Sequence, residues 1–438
     1  VVLIDGIPIN NFVLGGPAFD ITNMAIEQVA VHKGQMDPQY GNALSGVINY
    51  ATREGQREVE GALEYRTSAV GGWLGNRGDE IRNWDLLEGY VAGPVPGTGG
   101  RLGFMFAGRH DYGADRALEF DDDIFVPSRP LPPVTNRPHA LDVIPGWRAV
   151  GYNQVRDAFA KLTWRPLNGA KLNLSWINYR RENKSFDFDW MLALDPLPYM
   201  KTSADSAYYL GRPGLLRYRD LVQNSVRLDR DLFVLKWDHT LGRTAYTITA
   251  GYFDQSRLTC NVMSGICLGN HFEDPNFSGG FVAPGPAPYN YTPTTGTDYY
   301  YGGEKLKTTT LRFDVQSQVT DHHNLSAGVF FQRHDLHYDE WANRGTNDVI
   351  RVQENYAAKP WDGAFYIQDK IEYDFINITL GARFDYGKAS GLFFANPVDP
   401  TNGTTAVEVC ASPAAWQNRT VRVFNAETGR VETQRVSA

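Results

Sequence analysis

The stretch AFYIQDKIEYDFINITLGARFDYG, residues 364–387, decides the fold. Ile376, Ile378, Leu380, Ala382, Phe384 and Tyr386 alternate with Asn377, Thr379, Gly381, Arg383 and Asp385. A period of two puts the first set on one face of a β-strand and the second on the other. One face is apolar and the other carries full charges. Phe365, Ile367 and Ile371 repeat the pattern upstream, across a turn of a few residues at Phe375. Asp369 shares their parity and breaks the rule, which a bulge or a strand end is expected to explain.

The same alternation recurs outward along the chain. Leu311, Phe313, Val315 and Val319 alternate with Arg312, Asp314, Gln316 and Gln318. Ala158, Ala160, Leu162 and Trp164 alternate with Asp157, Lys161, Thr163 and Arg165. From about Glu58 onward the pattern predicts strands near 58–69, 82–93, 101–112, 150–165, 170–182, 226–240, 244–258, 307–320, 324–338, 361–375 and 376–388. They run to roughly 11–15 residues, whereas globular strands average about five or six and a tilted membrane-crossing strand needs about 9–11.

The connections sort by parity. Those after the second, fourth, sixth, eighth and tenth strands are short: PVPGTGG, PLNG, LGR, TDHH and FIN. Those after the third, fifth, seventh and ninth run to roughly 20–50 residues and are rich in Pro, Gly, Asp and Tyr. A barrel threaded through a membrane has tight turns on one side and long loops on the other, and a soluble sandwich has no reason to sort its loops this way. The apolar face is then expected to meet lipid and the charged face to line the lumen. No regular pattern follows Lys388, so the tail reads as a loop on the long-loop side.

Composition agrees. The 438 residues include 23 Tyr, 23 Phe and 10 Trp, which suits strands with interfacial aromatic girdles. No run of 18 apolar residues occurs, so helical membrane spans are excluded while an alternating barrel is not. A formal net charge of −8 argues against a nucleic-acid partner.

The first 55 residues differ in kind. VVLIDGIPI is a strand ending in a Gly turn, AIEQVAVHKG a short helical turn and then a strand with Val29 and Val31 on one face, and VINYAT another strand. VVLIDGIPI, AIEQVAVHKG and QYGNALSGVINYATREG, in that order and spacing, resemble the second half of the plug of a TonB-dependent outer-membrane receptor. Lys33, Gln35 and Ser45 depart from the usual residues of that pattern, in the manner of the Oar-like branch with a carboxypeptidase-regulatory-like N-terminal domain. The hairpin at 364–387 is similar to that family's mid-barrel hairpin.

The resemblance implies residues 1–55 as the C-terminal part of a small α/β plug domain and 56–438 as the N-terminal half of a mostly β, antiparallel transmembrane barrel. It also implies a bacterial outer-membrane location with the plug on the periplasmic side. The implied partners are outer-membrane lipid, the TonB energy-coupling complex acting through a segment upstream of residue 1, and a scarce extracellular ligand. That ligand is an iron chelate, a glycan, a peptide or a vitamin. A non-transporting surface adhesin or structural barrel is the alternative.

Candidate functional residues follow from this reading. Gly34, Gly41 and Gly46 are expected at plug turns and close contacts with the wall. Glu27, Lys33 and Arg53 are candidates for plug–barrel ion pairs, with solvated surface pairs as the plain alternative. Aromatic residues of the long loops, Trp190, Tyr199, Tyr299 and Tyr300 among them, are candidates for ligand contact or for packing the loops on themselves. Cys260 and Cys267 are close enough in sequence for a small disulfide loop in an oxidising compartment; Cys410 has no evident partner.

Asp121, Asp122 and Asp123 lack the spacing and Gly of a calcium loop. His334 and His337 differ in parity and make poor joint metal ligands, and His322 and His323 fall in a short turn. No metal or cofactor is expected. Neither a GxSxG elbow nor a close Ser/His motif points to an enzyme.

An odd number of strands ending in a loop predicts that the gene product continues, and the opening VVLIDG places any signal peptide upstream. As an isolated piece the 438 residues have two unpaired strand edges, which invite aggregation. They are expected not to yield a protease-resistant, monomeric barrel in bilayers, and recovery of one by reconstitution and protease digestion overturns the half-barrel reading.

Overall fold

A computed structural model describes residues 1–11, 18, 20–34, 37–41, 46–55, 58–68, 84–114, 118–120, 142–144, 147–149, 152–184, 224–261, 299–343, 351–390, 392–394, 420–425, 428 and 430–435. Trp190, Tyr199, Cys267, Cys410 and Asp121–Asp123 lie outside the described residues.

The chain opens with β1 (Val2–Ile4), β2 (Ile7–Pro8), a 3-10 turn (Asn23–Ala25), β3 (Ile26–His32) and β4 (Val47–Thr52). They form a mixed sheet in the order β2-β1-β4-β3, with β1 and β4 parallel. Asp5 and Gly6 turn β1 into β2 at φ of 49° and 90°, left-handed values that Asp tolerates and Gly favours. The helical turn ends where the sequence reading began it. The Thr22 hydroxyl accepts from the Met24 N–H at 3.3 Å and fixes the turn's start, leaving Ile26 free to enter the strand.

The wall begins with β5 (Glu60–Thr67), β6 (Trp84–Pro94) and β7 (Leu102–Ala114). A separate small sheet, β8 (Leu118–Phe120), β9 (Asp142–Ile144) and β10 (Trp147–Ala149), follows. The wall resumes with β11 (Tyr152–Trp164), β12 (Ala170–Lys184), β13 (Asn224–Leu241), β14 (Thr244–Asn261), β15 (Tyr299–Gln318) and β16 (His323–Asn343). After β17 (Arg351–Ala358) it ends in β18 (Trp361–Tyr373) and β19 (Ile376–Lys388). The tail adds a three-stranded sheet of β20 (Leu392–Phe394), β21 (Thr420–Asn425) and β22 (Arg430–Arg435). All eleven expected wall strands are present as one antiparallel sheet, each beside its sequence neighbour in the wall, with β17 paired onto the far end of β16.

Four expectations are corrected. Asp369 sits in no bulge: the ladder runs Leu325↔Asp369↔Leu380 without a shift, and Asp369 instead takes the imidazole of His323 at 2.8 Å near the short turns. Tyr299 and Tyr300, read as loop residues, begin β15 and pair with Asn343 and Ala342. Their high β-propensity carries the ladder on past the length a membrane demands. Cys260, likewise read as loop, lies in β14 opposite Ser225. The tail after Lys388 contains β20–β22 rather than an unbroken loop.

Alternation sorts the wall's two faces. Leu162, Leu174, Phe233, Leu235, Ile248, Leu311, Phe313, Val329, Phe365 and Phe384 all stay exposed on the outer face. Lys161, Thr163, Asn173, Ser175, Thr249 and Thr310, on the inner parity, are buried. An apolar belt of this extent is far larger than a water-soluble surface carries, and a hydrocarbon solvent removes the conflict. Leu235, 45% exposed in the middle of β13, tests it. In the full-length protein folded into vesicles, Leu235→Arg is expected to lower unfolding stability by about 2–4 kcal/mol. An unchanged denaturant midpoint would mean that the belt does not meet hydrocarbon.

Candidate functional site

The inner face of the wall is not uniformly charged, as its alternation alone suggested. Plug residues Ile4, Ile7, Ile9, Ile21 and Ala25 form one buried cluster with Met105, Phe159, Ile177, Leu232, Val234 and Phe253 of the wall. The core of the described structure is therefore the plug–wall contact itself. Apolar lumen-facing residues occur because part of the lumen is filled by protein rather than water. At two points the wall gives up its side chain: a Cβ on Gly251 would stand 2.8 Å from Ile7 Cδ1, and one on Gly381 would stand 2.4 Å from Pro38 Cγ. Large-to-small packing of this kind lets β14 and β19 approach the plug closely.

Polar contacts fix the plug's position. The Asp5 carboxylate, held out by the left-handed turn, accepts from the Thr52 N–H at 3.0 Å and the Thr52 hydroxyl at 2.6 Å. Lys161 reaches from β11 and donates to Thr52 Oγ1 at 2.8 Å, the Thr52 carbonyl at 3.2 Å and Asp5 Oδ2 at 3.3 Å. Only 3% of the Lys161 side chain is exposed. Glu54 follows directly: it accepts from Lys171 at 2.9 Å and Asn173 at 3.0 Å, with Arg165 at 3.5 Å. Burial pushes the Glu54 carboxyl up, but the Lys171 hydrogen bond and the Lys161 and Lys171 charges outweigh it and hold the group below its ordinary value of 4.5.

A second ring of contacts lies around the plug. Arg109 bridges Asp157 at 2.7 Å and Asp20 at 3.4 Å, and the Thr22 hydroxyl donates to Glu88 at 2.8 Å. Buried Arg230 donates to the Ala18 carbonyl and to Gln255. The segment Asp37–Gly41 is gripped by two wall arginines. Arg383, steadied by Asp385 at 2.8 Å, donates to the carbonyls of Pro38 at 3.1 Å and Gln39 at 3.2 Å. Arg312, forked onto Asp314, donates to the Gln39 side chain at 3.3 Å.

This segment stands between two cavities. One, of about 500 Å³, lies toward the short-turn ends of the strands and includes Asp37, Lys236, Thr247, Gln316 and Thr379. The other, of about 370 Å³, lies farther along the strands and includes Gly41, Phe253, Thr308, Gln332 and His334. Gln39, Tyr40 and Arg312 line both.

The expected site residues fall as follows. Gly41 lies against Arg383, where a Cβ would meet Nη2 at 2.4 Å, and Gly46 lies against the His32 carbonyl. Gly34 turns the chain after β3 at φ 81° with open space around it. Glu27 and Lys33 are exposed and enter no ion pair among the described residues. Arg53 meets the wall through the Tyr90 ring, 4.9 Å from its guanidinium, and donates to the Met24 carbonyl. Asp5, Asp20, Thr22, Gln39 and Glu54 carry the polar anchoring instead. Their signal was the paired parity of Lys161, Asp157 and Arg312 on lumen faces, which calls for partners inside. Buried His334 bonds Thr308 at 2.8 Å, and no group of three metal-binding side chains occurs among the described residues.

No family model matches the chain, and no curated protein matches it. Among solved structures it is similar to the ferric citrate transporter FecA in unliganded form (14% identity, TM-score 0.51, covering 99% of this chain and 49% of that one). It is also similar to a variant of the ferric enterobactin receptor PfeA from Pseudomonas aeruginosa in complex with enterobactin (15%, 0.50, 88% and 50%). A third is the siderophore receptor PiuA from Acinetobacter baumannii (13%, 0.50, 90% and 51%). At these identities the likeness is one of fold, and the chain spans about half the length of each. It is a partial antiparallel transmembrane barrel with part of its plug. None of these three is named as an enzyme.

Two measurements on the full-length protein test the seat. Lys161→Ala leaves Asp5 without its cation and is expected to cost roughly 3 kcal/mol of plug attachment, read as faster hydrogen exchange in β1 and β4. Because the Glu54 value is lowered in the folded state, its contribution is complete above 4.5 and is lost as pH falls through the folded value. Glu54→Gln is expected to flatten that acid limb, and an unaltered limb would remove Glu54 from the anchor.

Proposed function

We propose that residues 1–55 are plug and 56–438 barrel wall and loops of an outer-membrane receptor, which captures a scarce ligand at its long-loop end and admits it past the plug. The observation that carries this reading is the Asp37–Gly41 segment, which stands between two cavities and is held by side chains rather than by strand pairing. Such a contact can open without unfolding a sheet. The apolar outer belt supports an outer-membrane location, with the short turns and the plug's ionic seat on the periplasmic side.

Moving the plug means breaking several buried ionic contacts together, so the reading includes an external energy source coupled through TonB. Of the four ligand classes, the names of the similar structures favour an iron chelate as the first to test. Long-loop aromatics such as Trp190 and Tyr199, with Tyr299 and Tyr300 at the start of β15, would form the capture surface. An adhesin or structural barrel has no use for a divided lumen.

Uptake of labelled ferric chelates, oligosaccharides, peptides and cobalamin decides between these readings. Deleting the gene is expected to abolish uptake of one class, and depleting TonB to abolish the same one. Unchanged uptake of all four would leave the adhesin or structural reading.

A further inference from the structure

The two cavities beside the plug share four lining residues, Leu3, Gln39, Tyr40 and Arg312, which form the partition between them. Two of the four are fixed. Leu3 is buried in the plug sheet, in register with Pro8 and Asn49. Arg312 is forked onto Asp314 of its own strand.

The other two are held unequally along their length. The Pro38 and Gln39 carbonyls accept from Arg383 at 3.1 and 3.2 Å, so the backbone there is gripped. The Gln39 side chain meets Arg312 at 3.3 Å and Asp37 at 3.5 Å, and the Tyr40 hydroxyl meets His32 at 3.5 Å. These distances lie at the outer limit of hydrogen bonding. Both side chains belong to half-buried residues, so water can take over their bonds as they turn. The partition is therefore firm in its backbone and loose at its tips.

The space on either side suits water. The cavity of about 500 Å³ toward the short turns is lined by Thr247, Gln316, Ser326 and Gln368, and its charges balance. Lys236, Arg312 and Lys370 stand against Asp5, Asp37 and Asp314. In the cavity of about 370 Å³, Thr308 and Gln332 interrupt a partly apolar lining. Each has room for on the order of ten waters.

We propose that the lumen carries a passive path for small hydrated ions and neutral solutes along β14, β15, β16 and β18. It opens when the Gln39 and Tyr40 side chains swing aside while the plug stays seated. This activity is separate from admission of the captured ligand, for which the Asp37–Gly41 segment itself must move. The solutes are small because two side chains set the opening, and of either sign because the lining charges balance. The proposal rests on the barrel reading given above.

The test is single-channel recording on the full-length protein in planar bilayers bathed in potassium chloride. Wild type is expected to open briefly and seldom. Gln39→Ala with Tyr40→Ala should raise the open fraction about tenfold or more, with potassium and chloride passing almost equally. A second measurement separates this path from loss of the plug. A Cβ on Gly251 would stand 3.0 Å from Ile7 Cγ2, so Ile7→Cys with Gly251→Cys places two thiols within disulfide reach. That tether should leave the current of the Gln39/Tyr40 variant unchanged. A folded variant as silent as wild type, or a current that the tether abolishes, overturns the path and leaves the barrel reading intact. Failure of the wild-type protein to insert as a heat-modifiable barrel overturns the barrel reading instead.

Discussion

A lysine ammonium taken almost wholly out of water must find its partners within the protein, since an unpaired buried charge costs several kcal/mol. Lys161 finds them across a boundary: the charge is on the wall, while Asp5 and the Thr52 oxygens are on the plug. The plug oxygens satisfy the lysine, whereas Asp5 also keeps two hydrogen bonds from Thr52 within the plug. The geometry works because Asp5 takes a left-handed turn that points its carboxylate back at the end of β4, where Thr52 lies. The parallel pairing of β1 with β4 then holds turn and strand end together, so the local chemistry of an Asp-Gly turn becomes the register mark for the plug in the lumen.

The rest of the seat follows the same division of labour. Isoleucines of the plug fill the lumen against Met105, Phe159 and Leu232, a contact that is strong but indifferent to small slides. Ionic and hydrogen-bonded pairs around that core give it one position. Glycines at Gly251 and Gly381 set how near the wall can come. Glu54, drawn below its ordinary range by two lysines, makes the short-turn end of the seat the one that senses acid.

The wall was legible in the sequence because a membrane imposes a strict period: lipid outside and lumen inside leave each strand two unlike faces, and eleven strands follow from parity. The plug sheet was legible through VVLIDG and VINYAT. The anchoring partners were not, because parity says that Lys161, Asp157 and Arg312 point inward without saying which plug residue they meet. Glu27 and Lys33 attracted notice as charges, yet β3 is the edge of its sheet and leaves both exposed. Tyr299 and Tyr300 were misread for a different reason. Beyond the bilayer no alternation is required, so a ladder that continues there leaves no periodic trace.

The two kinds of contact also bear on how such a plug can move. An apolar interface alone would let the plug wander, since sliding one isoleucine past another changes little buried area. Ionic anchors make departure abrupt: once Lys161 loses Asp5 and Thr52 a charge stands in a poorly solvated lumen, while Arg109 and Arg383 keep Asp157 and Asp385 on the wall. At roughly 3 kcal/mol, that loss alone suppresses spontaneous opening by about a hundredfold or more. A plug seated this way resists displacement by thermal motion. It opens on a useful timescale only when work is delivered to the plug or when water and ligand enter the cavities to solvate the charges. The two cavities flanking Asp37–Gly41 put such solvent within reach of Arg312 and Arg383. That segment is therefore where the seat would give way first, while Lys161, almost wholly buried and lining neither of these two cavities, would release later.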